Sequence, residues 1–414
     1  MCHITIDFNL PDFKVDKTEE TPTSIIVYGH TTEENVRCSV CGKLTSHFHG
    51  YDDWREVKHA QIMNKDVIIK YRPRRYICKD HDVTTTATPS FHDAHSNFTH
   101  EQESNLLLDL ANSTIKDVAI KNMTTEKMIQ GIVDRHISGA VDWSTFKFLG
   151  TLGIDEIALR KGYKDFVTVI TCKHEDQIRI LGVIKGRKKK DIKRFLKSIP
   201  KKLKKTVTDV CVDMYEGYVN VAKDVFLSHA KIIIDRYHIA KLYRKSLDQY
   251  RKIIISNLKK QLPADEYEKI KHVTKLLMGH KEYFTSKEKQ KLNELFSHSF
   301  ELSEAYRLSR KLTHIFNTHM DQNDGLEKFQ EWIISVRETK LTCFNKFIKT
   351  LNKFKKEIAN YFIGRKNSGF VEGFNNKIKV LKRRCYGIFD LKHLFQRLCL
   401  DVSGYDLYAI NKRV

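Results

Sequence analysis

Two short-spaced pairs of soft ligands and three widely separated acids are the residues of this chain whose types and positions could do chemistry. Cys38 and Cys41 form a Cys-x-x-Cys knuckle, and Cys78 with His81 forms Cys-x-x-His farther along. Thiolates and imidazoles in two such pairs close a tetrahedral site, so one structural Zn²⁺ on Cys38, Cys41, Cys78 and His81 is expected, with the intervening segment folded as its own hairpins. The nearby FHDAH, with His92, Asp93 and His95, also carries ligand types, but in a linker it reads as solvated polar residues. The acids are of another kind. Asp155 sits in TLGIDEIAL and Asp213 in TVTDVCVDM, each within or at the end of an otherwise apolar strand, where a carboxylate is costly unless paired or bound to a cation. Glu372 stands at the head of NSGFVEGFNNKIKVLKRR, which holds no other acid but five cations. If the first and fourth strands of one sheet are neighbours, Asp155 and Asp213 come side by side. Glu372, from a helix packed on that sheet, would then complete a cage for two hard divalent cations. The plainer alternatives are an Asp213 that faces solvent or caps the next helix, and a Glu372 that complements a helix dipole.

The elements that must position these residues follow from periodicity. On a helix, Phe370, Phe374, Ile378, Leu381 and Cys385 form one buried stripe, which leaves Glu372, Asn375 or Asn376, Lys379 and Arg383 on the other face. Such a face suits a phosphate backbone, with Asn376, Lys379 and Arg383 as its contacts. Residues 1–95 alternate apolar and polar in short segments and read as a small metal-stapled β module. Residues 96–145 turn helical, and the very short turn between STIKDVAIKNM and TTEKMIQGIVDRHI suits a helix-turn-helix; Thr125, Lys127 and Gln130 are the candidates to enter a major groove. Residues 146–240 hold three strand candidates in a meander, a lysine-rich segment, and two further strands separated by a helix. Residues 241–360 are almost wholly helical, and residues 361–414 carry Glu372 and a last helix.

Composition narrows the partner. In 414 residues, 73 Lys and Arg against 51 Asp and Glu leave a net charge of +22, which favours a polyanion. Residues 185–205 contain twelve of those cations and one acid, with Lys188, Lys189 and Lys190 consecutive near the start, a sequence-blind phosphate contact by type. Nine Cys in a long chain fit reduced thiols and a metal site better than a disulfide framework. No apolar run reaches membrane-spanning length and no signal segment opens the chain, so a cytoplasmic protein is expected.

The GIDE strand, the VDM strand, the IIIDRYH segment and the closing NSGFVEGFNNKIKVLKRRCYG, in that order, resemble the ISL-type bacterial insertion-sequence transposases over almost the whole chain. RRYICKDH is similar to the second half of that family's zinc-binding module, which a helix-turn-helix follows. The resemblance implies an α/β fold with a ribonuclease-H-like catalytic core interrupted by an all-α insertion. It implies a DDE triad on Asp155, Asp213 and Glu372 that uses Mg²⁺ or Mn²⁺. It implies double-stranded DNA, both element ends and target, as substrate, a homodimer on DNA, and a nucleoid-associated location. The DRYH signature falls on Asp235, Arg236 and His238, at a strand end where packing and chemistry are both open. Where many relatives would carry an acid after TVI, this chain has Thr171 and Cys172. Two rival readings remain: a structure-specific nuclease of the same fold that cuts without joining, and a catalytically inactive DNA-binding regulator.

Overall fold

The computed structural model describes residues 8, 10–159, 166–175, 177–226, 229–271, 273, 276–277, 284–365 and 369–409, apart from the side chain of Glu372. The chain divides into two compact units, Met1–Ile137 with Cys399–Val414, and Ser138–Leu398.

The first unit begins as β structure. Strands β1 (Phe13–Glu20), β2 (Ser24–Thr31), β6 (Arg55–Ile62) and β7 (Lys65–Arg72) form a sheet in the order β1-β2-β7-β6. In β7, burial alternates strictly along DVIIKY, so Val67, Ile69 and Tyr71 point to one face and join Val27, Val57 and Phe91 in a core. Short strands β3 (Val36–Arg37) and β4 (Leu44–Thr45) pair with each other, and β5 (Phe48–Tyr51), β8 (Arg74–Cys78) and β9 (Val83–Thr86) form a third sheet. Three helices follow: α1 (His100–Leu110), α2 (Ile115–Lys121) and α3 (Glu126–His136). Each starts after a threonine, Thr99, Thr114 or Thr125, whose hydroxyl accepts the N–H three residues on. Leu106, Leu107, Leu110, Val118, Ile129, Ile132 and Val133 pack as their core.

The second unit is a mixed sheet with helices. Strands β10 (Gly150–Ala158), β11 (Phe166–His174) and β12 (Gln177–Lys185) run antiparallel to one another, while β13 (Val207–Val212) and β14 (Lys231–Ile234) lie parallel to β10; the order is β12-β11-β10-β13-β14. Parallel neighbours need crossovers. Helices α4 (Lys189–Ser198) and α5 (Lys201–Lys204) connect β12 to β13, and α6 (Glu216–Phe226) connects β13 to β14. The central strands are apolar on both faces, as in FVTVITC, because both faces are covered. After β14 the long helix α7 (Arg236–Gln261) opens a run of helices that includes Phe300–Asn317, Gln322–Glu338 and Asn345–Lys353. Their buried Tyr243, Phe316, Trp332 and Phe347 are continuous with the core behind the sheet. The run returns to the sheet at Asn360, whose Nδ2 donates to the Ile232 carbonyl at 2.8 Å. The helices Gly369–Arg384 and Leu391–Tyr408 follow.

Candidate functional site

The soft-ligand site is assembled by two tight turns. Cys38 precedes the turn between β3 and β4, Cys41 lies in it, Cys78 ends β8, and His81 lies in the turn after it. The Cys41 and Cys78 sulfurs are 4.0 Å apart, Cys78 Sγ is 3.7 Å from His81 Nδ1, and one ligand atom from each of the four residues lies within 4.8 Å of the others. Four bonds of about 2.3 Å at tetrahedral angles place sulfurs roughly 3.8 Å apart, so the set fits Zn²⁺. The backbone N–H groups of Cys41 and then Val40 lower the Cys38 pKa to about 7, favouring the thiolate that a metal needs; burial raises that of Cys78.

The carboxylate site is assembled by topology. The β10–β13 ladder pairs Ile154 with Val212, so the next residues of the two strands, Asp155 and Asp213, leave the ladder side by side. His238, in the first turn of α7, reaches the same point: its Nδ1 is 2.9 Å from Asp213 Oδ1, and Asp155, Asp213 and His238 each offer a ligand atom within 4.8 Å of the others. Burial drives the Asp155 pKa up, and the Asp213 charge adds to the rise. For His238, burial acts to lower the pKa but is outweighed by the hydrogen bond and charge of Asp213, with Asp155 and Asp235 adding to them, so its pKa is raised. Two repelling carboxylates in partly desolvated positions fit a hard divalent cation.

The helix Gly369–Arg384 is fastened along β10. Gly153 lies two residues before Asp155 and so on the same sheet face; a Cβ there would come within 2.3 Å of Val371 Cγ2, so glycine permits the close approach. Asn375 Nδ2 donates to Asp155 Oδ2 at 2.5 Å, and Lys382 Nζ donates to the Ala158 carbonyl at 2.7 Å. Glu372 therefore sits in the helix between two residues that touch the strand of Asp155, while its side chain lies outside the described residues. Glu156 takes the opposite sheet face, where Arg187 approaches it at 3.3 Å.

The sequence profile of the ISL3-type DDE transposases matches residues 152–398, and that of the zinc finger of the IS204/IS1001/IS1096/IS1165 transposases matches residues 34–81. The chain belongs to the ISL3-type transposase family. It is 22% identical over 395 residues to the transposase for insertion sequence element IS1001 of Bordetella parapertussis, covering 94% of this chain and 95% of that one. It is 20% identical over 393 residues to the transposase for IS1557 of Mycobacterium tuberculosis, covering 89% and 86%. Both donor sets fall within the matched stretches. The family carries a divalent-metal requirement and a zinc ribbon, and the two donor sets suit one of each.

The remaining candidates are placed as follows. Thr125 caps α3, where Met128 N–H donates to its hydroxyl at 3.2 Å; Lys127 is exposed, and Gln130 is half-buried with its amide 3.4 Å from Asp134. Lys188, Lys189 and Lys190 are exposed around the start of α4. Asn376, Lys379 and Arg383 form an exposed row on the Glu372 helix, with Lys379 Nζ donating to Asn376 Oδ1 at 3.3 Å. Asp235 caps α7, and Arg236 donates to the Phe316 carbonyl and the Tyr361 hydroxyl, so the DRYH segment serves packing at Arg236 and reaches the acids at His238. Two sequence readings change. His92 is buried, not solvated, because its Nε2 meets the Tyr71 hydroxyl at 2.5 Å and its Nδ1 meets the Asp93 carbonyl at 2.7 Å. Asn375 and Val371 are buried against β10, a consequence of Gly153 that helical periodicity alone does not show. Thr171, opposite Gly153 in the β11 register, is also buried. A cavity of about 400 Å³ lined by Gly150, Thr151, Lys173, Thr208, Arg365 and Phe370 opens at the other ends of β10 and β13, away from the acids. Among the described residues no helix is long and apolar enough to cross a membrane.

Proposed function

We propose that the protein is an insertion-sequence transposase that cuts and joins DNA at Asp155, Asp213 and Glu372, on a ribonuclease-H-like core into which residues 241–360 are inserted as helices. The observation that carries this is the emergence of Asp155 and Asp213 from adjacent parallel strands, with the Glu372 helix fastened beside Asp155. A strand order of three antiparallel strands followed by two parallel ones supports the core assignment. Mg²⁺ or Mn²⁺ held by the three carboxylates would supply the Lewis acidity for phosphoryl transfer. The residues of the chain do the rest. His238 orients Asp213 through its 2.9 Å contact, and Asn376, Lys379 and Arg383 hold the DNA strand by its phosphates. Lys188, Lys189 and Lys190 add sequence-blind affinity. Residues 96–145 act as a helix-turn-helix in which α3, with Lys127 and Gln130, reads the element ends, and Cys38, Cys41, Cys78 and His81 would hold a Zn²⁺ that would stiffen the ribbon before it. A homodimer pairs the two ends.

The test uses purified protein, Mg²⁺ and DNA carrying both element ends, with nicked and joined products separated on a gel. The parent protein is expected to give both, whereas Asp155→Asn and Asp213→Asn give neither and still bind the ends. Cleavage without any joined product would favour a nuclease, and strong cleavage by either variant would remove the acids from the site.

A further inference from the structure

Asn375 is buried, although Asn376 and Lys379 beside it on the same helix are exposed. Its Nδ2 donates to Asp155 Oδ2 at 2.5 Å, while Asp155 Oδ1 accepts the backbone N–H of Glu156 at 2.7 Å. Both carboxylate oxygens are thus held, and the plane of the group is fixed. The donor is also neutral. A lysine or arginine at this place would cancel the charge of Asp155 and compete with a cation; an amide orients the carboxylate and leaves it an anion. The Oδ1 of Asn375 is buried and has no protein hydrogen-bond partner among the described residues, which is uncommon for an acceptor unless a site molecule satisfies it. Asn375 stands three residues after Glu372, so the two share neighbouring turns of one helix.

We propose that Asn375 is the positioning residue of the metal site: its amide sets the orientation of the Asp155 carboxylate and, by the same bond, fixes the register of the Glu372 helix against the strand of Asp155. The proposal rests on the carboxylate-site reading above. It explains why the amide is buried at a position where periodicity gives no reason to choose between Asn375 and Asn376.

The test is Mn²⁺ binding to the full-length, zinc-loaded protein, measured by electron paramagnetic resonance in a double-mutant cycle. Asn375→Ala is expected to weaken Mn²⁺ binding about tenfold, as losses of groups that orient metal ligands do. It should also slow cleavage and joining, with part of the rate recovered at higher Mn²⁺, while end binding and thermal melting stay as in the parent. In an Asp155→Asn background the same change should have little further effect, because the carboxylate it orients is gone. A merely structural role would cost the same in both backgrounds, and that result overturns the proposal, as does an Asn375→Ala affinity within twofold of the parent. If the alanine protein does not fold, the cycle is run with Asn375→Ser under the same criteria. Asp155→Asn protein that binds Mn²⁺ like the parent would instead defeat the carboxylate-site reading, so the two failures are distinct.

Discussion

Glu103 in the first unit and Asp155 in the second are both acids drawn out of water, and their neighbours treat the charge in opposite ways. Glu103 is fully buried, yet Ser96 Oγ at 2.5 Å, His136 Nε2 at 2.5 Å and the Arg135 guanidinium all meet its carboxylate. Burial acts to raise its pKa, but the bonds from His136, Ser96 and Arg135 overcome this and hold it at about 2. Asp155 receives two N–H groups and, among the described residues, no lysine or arginine; burial raises its pKa and Asp213 adds to the rise, against the lowering by the Glu156 N–H, the His238 charge and the Asn375 amide. An acid that ties a fold together comes with its own cations. An acid kept beside a second acid, bonded only by neutral donors and with the His238 imidazole shared through Asp213 as its nearest cation, leaves a place for a further cation from solution.

Removing ligands separates the two regions most sharply. Cys38→Ala with Cys41→Ala should reduce zinc from about one per chain to none by metal analysis and loosen β3, β4 and β8 in hydrogen exchange, with the second unit unaffected. Retained zinc would show that the ligand set is wrong. Next in size is Glu103→Gln. The folded pKa lies below the ordinary 4.5, so the stabilisation is present above that pH and is lost as pH falls through about 2. The variant should lose on the order of 3 kcal/mol at pH 7, with the deficit closing in acid; chemical denaturation at several pH values measures it. Asp155→Asn should move the other way. Its raised pKa means that the folded state holds the charge at a cost at neutral pH, so in Mg²⁺-free buffer the amide should raise the melting temperature of its unit by about 2–4 °C for each kcal/mol relieved. A lower melting temperature would place Asp155 in the same class as Glu103. The smallest effect belongs to the lysines: replacing Lys188, Lys189 and Lys190 by glutamine should reduce the salt dependence of DNA binding by about two to three in slope and leave the preference for element ends unchanged.

The same contrast explains what the sequence made legible. Cys38, Cys41, Cys78 and His81 are readable because each pair is local, two residues between ligands, and the turn that joins them is part of the motif. Asp155 and Asp213 stand out because an acid in an apolar strand breaks a pattern. Their neighbourhood is not local: it depends on β13 pairing with β10 rather than with β12, which strand composition does not encode. Asn375 was unreadable for a related reason, since adjacent helical positions differ by about a quarter turn and only Gly153, far away in the chain, decides which asparagine is covered. His92 and Glu103 look like surface residues by type and become interior ones because Tyr71, Ser96, Arg135 and His136 satisfy them. No feature of EQESNLLLDL marks Glu103 as a buried hub.

The central claim is that Glu372 joins Asp155 and Asp213 as a third metal-holding carboxylate. Its most direct test compares Glu372→Gln with Glu156→Gln on DNA carrying both element ends, in Mg²⁺ and in Mn²⁺. Glutamine keeps the size of the side chain and removes the charge that holds the cation. Glu372→Gln is expected to abolish cleavage and joining in both metals while binding the ends as well as the parent, and Glu156→Gln, on the opposite sheet face, should keep both activities. Robust cleavage by Glu372→Gln would contradict the account and return that residue to the role of an acid at the start of a helix.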